Sequence, residues 1–304
     1  MYDIAIIGSG TAGLAAAIYS ARASLKTVVF AGDAWGGQIA TTNDVENFPG
    51  FDTGIDGPEL TARMGKQAER FGTEIVWDFI EELDTSGPPF QLNGRLDKYS
   101  AKAVVVATGA SPRTLGIPGE EKFWGRGVST CATCDGAFFK DLPVALVGGG
   151  DSAIQEGLYL TRFASKIYVI HRRDQLRAGP YLAQKALEED KFEFLWDSIA
   201  EEVIGNDTVE GVRVRNLKSG STDVLAVEGF FIFIGHDPNT EIFKGKLDMS
   251  NSGYISTDAR MHTNIDGIFV AGEAQDDYFR QAITSAGEGT KAAMEAIKFV
   301  EGIP

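Results

Sequence analysis

The two cysteines of the chain, Cys131 and Cys134, share one C-x-x-C, Cys131-Ala132-Thr133-Cys134, with Asp135 next in sequence. That spacing suits half of a metal site or a redox dithiol, because structural disulfides are rare in reducing compartments. Zinc would need two further ligands, and the three histidines, His171, His236 and His262, have no paired spacing. The expectation is a redox disulfide and no metal, with an inert buried pair as the alternative. Asp135, beside the second cysteine, is a candidate proton donor or acceptor for thiol exchange. A helix or turn cap is its other reading.

Two glycine loops offer a second kind of chemistry. Gly8-Ser9-Gly10-Thr11-Ala12-Gly13 follows the apolar run Asp3-Ile4-Ala5-Ile6-Ile7 and opens an Ala-rich helix-forming stretch to about residue 23. Thr27-Val28-Val29-Phe30 is then a second strand. A strand, a G-x-G-x-x-G turn and a helix N-terminus together cradle a pyrophosphate. The glycines allow close approach, and the free N–H groups carry partial positive charge. Val144-Ala145-Leu146-Val147 runs likewise into Gly148-Gly149-Gly150-Asp151-Ser152-Ala153, then a helix to about residue 163 and the strand Ile167-Tyr168-Val169-Ile170. Each unit later meets an apolar strand ending in glycine: Val104-Val105-Val106-Ala107-Thr108-Gly109 for the first, Phe230-Phe231-Ile232-Phe233-Ile234-Gly235 for the second. Two such units in full context imply two dinucleotide-binding folds.

Their ligands should differ. After Ile170 the second unit reads His171-Arg172-Arg173-Asp174-Gln175-Leu176-Arg177. Guanidinium forks match phosphate oxygens, so Arg172, Arg173 and Arg177 read as a clamp for the 2′-phosphate of NADP rather than as a solvated basic loop. NADPH should therefore be preferred over NADH. At the corresponding point the first unit has Ala31-Gly32-Asp33, which offers no arginine, and Asp33 falls late for a ribose acid. A dinucleotide fold that reads neither NAD nor NADP most often holds FAD.

The elements that position these groups follow from length and punctuation. The chain has 304 residues, 43% of them hydrophobic and 23% charged, a globular composition long enough for two domains. Its 43 acidic against 28 basic residues leave a formal charge of −15, which disfavours nucleic acid and anionic membranes as partners. Residues 4–23 superficially resemble a signal peptide, but they lack a basic n-region and are interrupted by glycine. No run approaches the ~18 apolar residues of a membrane span. A cytoplasmic protein is expected. Ser111-Pro112 and Ile117-Pro118-Gly119 mark an exit from the first domain, and His236-Asp237-Pro238-Asn239 marks a return. The Pro/Gly character of both crossings predicts a hinge on which the domains rotate during turnover. Beyond the return come the strand Gly267-Ile268-Phe269-Val270-Ala271 and a helix from about residue 280 to 299, without a fingerprint of their own, which complete the first domain. The expected fold is α/β, with two Rossmann-like domains and the second inserted into the first. Residues 1–113 and 242–304 form the FAD-binding domain, and residues 114–241 the NADPH-binding domain carrying the C-x-x-C.

Together these residues resemble the low-molecular-weight thioredoxin reductases of bacteria, archaea, plants and fungi, in order from residue 4 to about 290. Cys-Ala-Thr-Cys-Asp at 131–135 resembles that family's redox motif. Gly36-Gly37-Gln38 through Val45-Glu46-Asn47-Phe48-Pro49-Gly50 resembles its flavin-side loop. His171-Arg172-Arg173-Asp174 with Arg177-Ala178 resembles its NADPH loop, and Arg280-Gln281-Ala282 its C-terminal flavin motif. The resemblance implies a homodimer and places Gln38, Asn47, Arg280 and Gln281 near the flavin. With the first glycine loop, the expected FAD-side residues also include Gly37, Thr42, Gly109, Gly272, Glu273 and Ala282. On the NADPH side are Gly148, Gly150, Asp151, Ser152, His171 and the three arginines. It further implies that Cys134 faces the flavin while Cys131 attacks the partner's disulfide. The chain departs from the family at Glu273, where Asp is usual and bonds the ribityl chain of FAD. It also has Phe279 in place of Tyr, and Gly157 inside a helix where Ala is usual.

The leading expectation is thus a thioredoxin reductase passing electrons from NADPH through FAD and Cys131–Cys134 to thioredoxin. A rival is the same chemistry serving a glutaredoxin-like protein or a peroxiredoxin system. The dedicated peroxiredoxin reductases carry an additional N-terminal redox domain, and this chain starts at the FAD strand. A flavoprotein electron carrier to ferredoxin or flavodoxin would not need the dithiol. A non-enzymatic zinc or scaffold module would bind no flavin.

Overall fold

The computed structural model describes residues 1–42 and 44–302. The chain divides into two compact units, Met1–Ser111 with Asp237–Pro304, and Pro112–His236.

In the first unit Tyr2–Ile7 pairs in parallel with Thr27–Phe30 on one side and Lys98–Val106 on the other. Glu74–Val76 extends the sheet beyond Thr27–Phe30. Lys98–Val106 serves two partners along its far edge. Its start pairs antiparallel with Phe90–Gly94, and its end pairs in parallel with Ile268–Val270, so the returning chain becomes part of the same sheet. Side chains alternate between two buried faces: Ile4, Ile6 and Val105 enter one core, and Ala5, Ile7, Val104 and Val106 the other. That double burial is why these strands read as continuous apolar runs. The first face is covered by the helices Thr11–Arg22 and Ala282–Glu301, through small residues such as Ala12, Ala16, Ala292 and Ala296. A Cβ at Gly289 would stand 2.0 Å from the Ala12 carbonyl oxygen, so the two helices touch backbone to backbone. The last helix starts at Ala282 rather than 280 because Gln281 caps it, in a reciprocal box with Thr284.

The second unit holds a five-stranded parallel sheet in the order Phe192–Leu195, Lys166–Ile170, Pro143–Val147, Gly229–Ile232, Val128–Ser129. A three-stranded antiparallel sheet, Ser198–Gly205, Val209–Asn216 and Thr222–Leu225, packs with it around Phe123, Val212 and Phe230. The helix after its glycine loop is Asp151–Leu160, shorter than the sequence suggests because its end tightens through Phe163 N–H to Leu160. In the large sheet of each unit the strand entering the glycine loop has its next strand in sequence on one side and a later strand on the other. That reversal opens the crevice where dinucleotides bind. Among the described residues no helix is long and apolar enough to cross a membrane.

Candidate active site

Cys131 and Cys134 form a disulfide, with Cα atoms 5.3 Å apart. Cys131 is the N-cap of the short helix Ala132–Asp135, and its Sγ accepts a hydrogen bond from Cys134 N–H at 3.2 Å. Ala132 is fully buried among Val144, Leu146, Leu160 and Phe231, which seats the pair on the parallel sheet of its unit. Upstream, Ser129 Oγ accepts from Cys131 N–H at 3.1 Å. Asp135 lies in the same turn. Burial raises its carboxyl pKa above the ordinary range, against a hydrogen bond from Ser129 that lowers it. A carboxyl of that kind exchanges protons closer to neutrality than a solvated aspartate would. Asp135 precedes the single turn Gly136–Phe139 without a side-chain capping hydrogen bond, so the cap reading finds no support, and the raised pKa keeps it a candidate for proton transfer.

The second glycine loop and the arginine loop lie together in this unit. Gly149 O accepts from Arg177 N–H at 2.7 Å and Ala178 N–H at 3.0 Å, and Asp151 Oδ1 accepts from Gly179 N–H at 2.7 Å. Gly148 has a φ of +152°, and a Cβ there would stand 2.6 Å from Phe233 O, so glycine is required. His171 is 5% exposed and packs face-on to the loop: a Cβ at Gly149 would meet its Nδ1 at 2.4 Å. Burial, with the charges of Arg177 and Arg173, holds the imidazole pKa below its usual value. Its Nε2 is buried without a hydrogen-bond partner among the described residues. Arg172, Arg173 and Arg177 are exposed and enter no ion pair among the described residues. Ser152 is exposed at the start of the helix. An orphaned buried nitrogen, a bare glycine turn and unpaired guanidiniums fit a dinucleotide carrying an extra phosphate.

In the first unit the chain ends gather around the other loop. Gly8 has a φ of +114°, and a Cβ there would stand 2.2 Å from Ala107 O, while a Cβ at Gly13 would stand 1.9 Å from Gly8 O. The helix opened by Thr11 and Ala12 has Gly10 as N-cap, no side-chain cap and no acid in its first turn, so its N–H groups remain for a phosphate. Ser9 Oγ accepts from Gly36 N–H at 3.1 Å, and Gly37 packs against Gly10. Gln38 donates to Ala110 O at 2.7 Å and to the Glu273 carboxylate. Thr42 O accepts from Gly57 N–H at 3.0 Å, Gly109 O from Asn239 N–H at 2.9 Å, and Asn47 donates to Gln281 Oε1 at 3.4 Å. Thr108 Oγ1 is buried without a partner among the described residues. This cradle, with its orphaned hydroxyl, fits a flavin dinucleotide. Burial pushes the Glu273 pKa up to about 7, and its extra methylene carries the carboxylate to Gln38.

Three residues that the sequence reading passed over hold these sets in place. Asp276, 7% exposed, accepts from Tyr278, Phe279 and Arg280 N–H at 2.8–2.9 Å and so fixes Arg280, whose φ is +50°. Its signal is legible, since an aspartate two to four residues before the peptides that donate to it makes an Asx-type turn. Glu288 accepts from Gly272 N–H at 2.8 Å, and Glu156 from Ala132 N–H at 2.8 Å. These two contacts join distant segments and leave no local mark.

Residues 2–289 match the pyridine nucleotide-disulphide oxidoreductase family. The chain is 48% identical over 304 residues to a thioredoxin reductase of Streptomyces coelicolor, covering 99% of this chain and 94% of that one. It is 46% identical to a thioredoxin reductase of Peptoclostridium acidaminophilum, with 99% and 98% covered. Among solved structures, thioredoxin reductase from Streptococcus pyogenes superposes with a TM-score of 0.96 at 43% identity, with 99% of both chains covered. A family match over nearly the whole chain, carried by a disulfide and two glycine cradles in folded context, makes this chain a member of the pyridine nucleotide-disulphide oxidoreductase family.

Proposed function

We propose that this protein is an FAD-dependent thioredoxin reductase that takes electrons from NADPH and delivers them through Cys131–Cys134 to thioredoxin. The observation that carries the reading is a disulfide at a sheet-anchored turn, beside a half-buried acid, in the unit whose arginine loop has phosphate-sized chemistry to do. The chemistry a bound FAD would supply is two-electron transfer between the nicotinamide and the disulfide. In the first unit Gly8, Ser9, Gly10, Thr11, Ala12 and Gly13 would hold its pyrophosphate, with Gln38, Asn47, Glu273, Arg280 and Gln281 toward the ring. In the second, Gly148, Gly150 and the arginines would hold NADPH, Arg172, Arg173 and Arg177 taking the 2′-phosphate. Reduction of the disulfide consumes two electrons and two protons, and Asp135 can supply a proton to the thiolate that leaves. The Cys131 thiolate then attacks the partner's disulfide: one S–S bond forms, one breaks, and the partner releases a thiolate. Cys134 resolves the mixed disulfide. Charge and composition support a cytoplasmic protein, and the family resemblance a homodimer.

NADPH oxidation with an insulin acceptor should depend on added thioredoxin. With Cys134→Ser, Cys131 should form a lasting adduct with a thioredoxin carrying an activated thiol. An adduct formed by Cys131→Ser alone would reverse the two roles. Thioredoxin-independent turnover would favour another acceptor.

A further inference from the structure

We propose that Glu156 is a positioning residue of the dithiol, keeping the Cys131 thiol less acidic, and the pair more strongly reducing, than its turn alone would make it. The proposal rests on reading Cys131–Cys134 as the redox pair. Cys131 stands at the N-cap of its turn with Cys134 N–H directed at Sγ at 3.2 Å, an arrangement that stabilises a thiolate and depresses a thiol pKa. Glu156 comes from the helix Asp151–Leu160, and its Oε2 accepts from the very next peptide, Ala132 N–H, at 2.8 Å. That carboxylate acts twice. It occupies the donor adjoining the sulfur, and it sets a like charge beside any thiolate formed there. The groups around Cys131 in its own turn are Asp135, whose carboxyl burial favours the neutral form, and the hydroxyls of Ser129 and Thr133. Two-electron reduction of the disulfide ends in a dithiol, or in a thiol and a thiolate with one proton fewer. A group that disfavours the thiolate disfavours the reduced state and lowers the potential, the reverse of what makes some thiol pairs strong oxidants. A pair that must reduce another protein's disulfide gains driving force from this.

Glu156→Gln keeps the acceptor oxygen and the volume and removes the charge. In a Cys134→Ser holoenzyme, the pH profile of Cys131 alkylation by iodoacetamide should move down by about one unit in Glu156→Gln. With both cysteines present, equilibration against a glutathione buffer at a pH above the Cys131 pKa should shift about tenfold toward the reduced pair, a potential about 30 mV more positive. Glu156→Asp, which keeps the charge, should stay close to wild type in both. An unchanged profile in Glu156→Gln, or equal shifts in Gln and Asp variants, overturns the proposal. Should Glu156→Gln fail to fold, Glu156→Ala in the same Cys134→Ser background still decides: an unmoved alkylation profile overturns the proposal. Full thioredoxin reduction by Cys131→Ser would instead remove the redox reading and leave the alkylation result standing.

Discussion

The two glycine loops share a strand–turn–helix plan and differ in how they are finished. In the first, Ser9 is 3% exposed and Thr11 7%, and segments from both ends of the chain close over the turn. In the second, Asp151 and Ser152 stand exposed, one neighbouring loop supplies the contacts, and that loop's guanidiniums face solvent. A cradle assembled from distant segments suits a ligand that stays, and an open one suits a ligand that exchanges at every turnover. The same contrast appears at the third fingerprint position. Gly13 lies against Gly8 O with no room for a methyl group, whereas its counterpart Ala153 already carries one.

That contrast can be broken most sharply at the third position. Gly13→Ala should give a protein without bound flavin and several kcal/mol less stable, because its Cβ would lie 1.9 Å from a carbonyl oxygen that the strand holds in place. Ala153→Gly should keep its flavin and lose about 1 kcal/mol of helix stability. Flavin absorbance and thermal unfolding measure both, and equal behaviour of the two would dissolve the contrast.

Removing Arg172 and Arg173 together should raise KM for NADPH at least tenfold and leave KM for NADH nearly unchanged, since each charge-assisted contact contributes about 1.5–3 kcal/mol. Equal efficiency of the unmodified enzyme with both nucleotides would refute the clamp.

The closed cradle should also carry a pH signature opposite in sign to the one that the depressed His171 gives the open one. Glu273 has a folded-state pKa of about 7 against an ordinary 4.5, with burial as the main cause. The native state therefore binds more protons than the unfolded chain between these values. Its stabilising contribution is complete below about pH 4.5 and lost as pH rises through about 7. In flavin-stripped protein, Tm should fall across that window, and Glu273→Gln should flatten the fall; identical curves would sink the assignment.

The smallest effect belongs to Gly157. Its Cβ would gain about 1 kcal/mol of helix propensity but meet Leu146 Cδ2 at 2.8 Å and Phe192 Cζ at 3.1 Å. Gly157→Ala should change stability by less than about 1 kcal/mol, and a larger change in a denaturation curve would show that Leu146 cannot give way.

What could be read from sequence was whatever had a local period or spacing. The strands around both glycine loops, the C-x-x-C and the arginine run announce themselves within a few residues, because the backbone geometry that uses them is local. Glu273 could be named as a departure, yet its turn toward Gln38 depends on a partner at the other end of the chain. Glu288 and Glu156 were illegible for the same reason: each caps a peptide that only the folded chain brings within reach.

The backbone contact between Gly289 and Ala12 has a consequence for synthesis. The first glycine loop leaves the ribosome long before the helix that covers it, Ala282–Glu301. Pro112–His236 is one contiguous stretch of chain, whereas the first unit is made of two. We expect the order of emergence to be inverted in folding: the inserted unit matures on the ribosome while the earlier-made turn waits, unpaired, for Ala282–Glu301. Nascent chains stalled before residue 282 should show protease resistance across 112–236 and none across 8–22. Early protection of the first segment would mean that the opening helix finds its place without its partner.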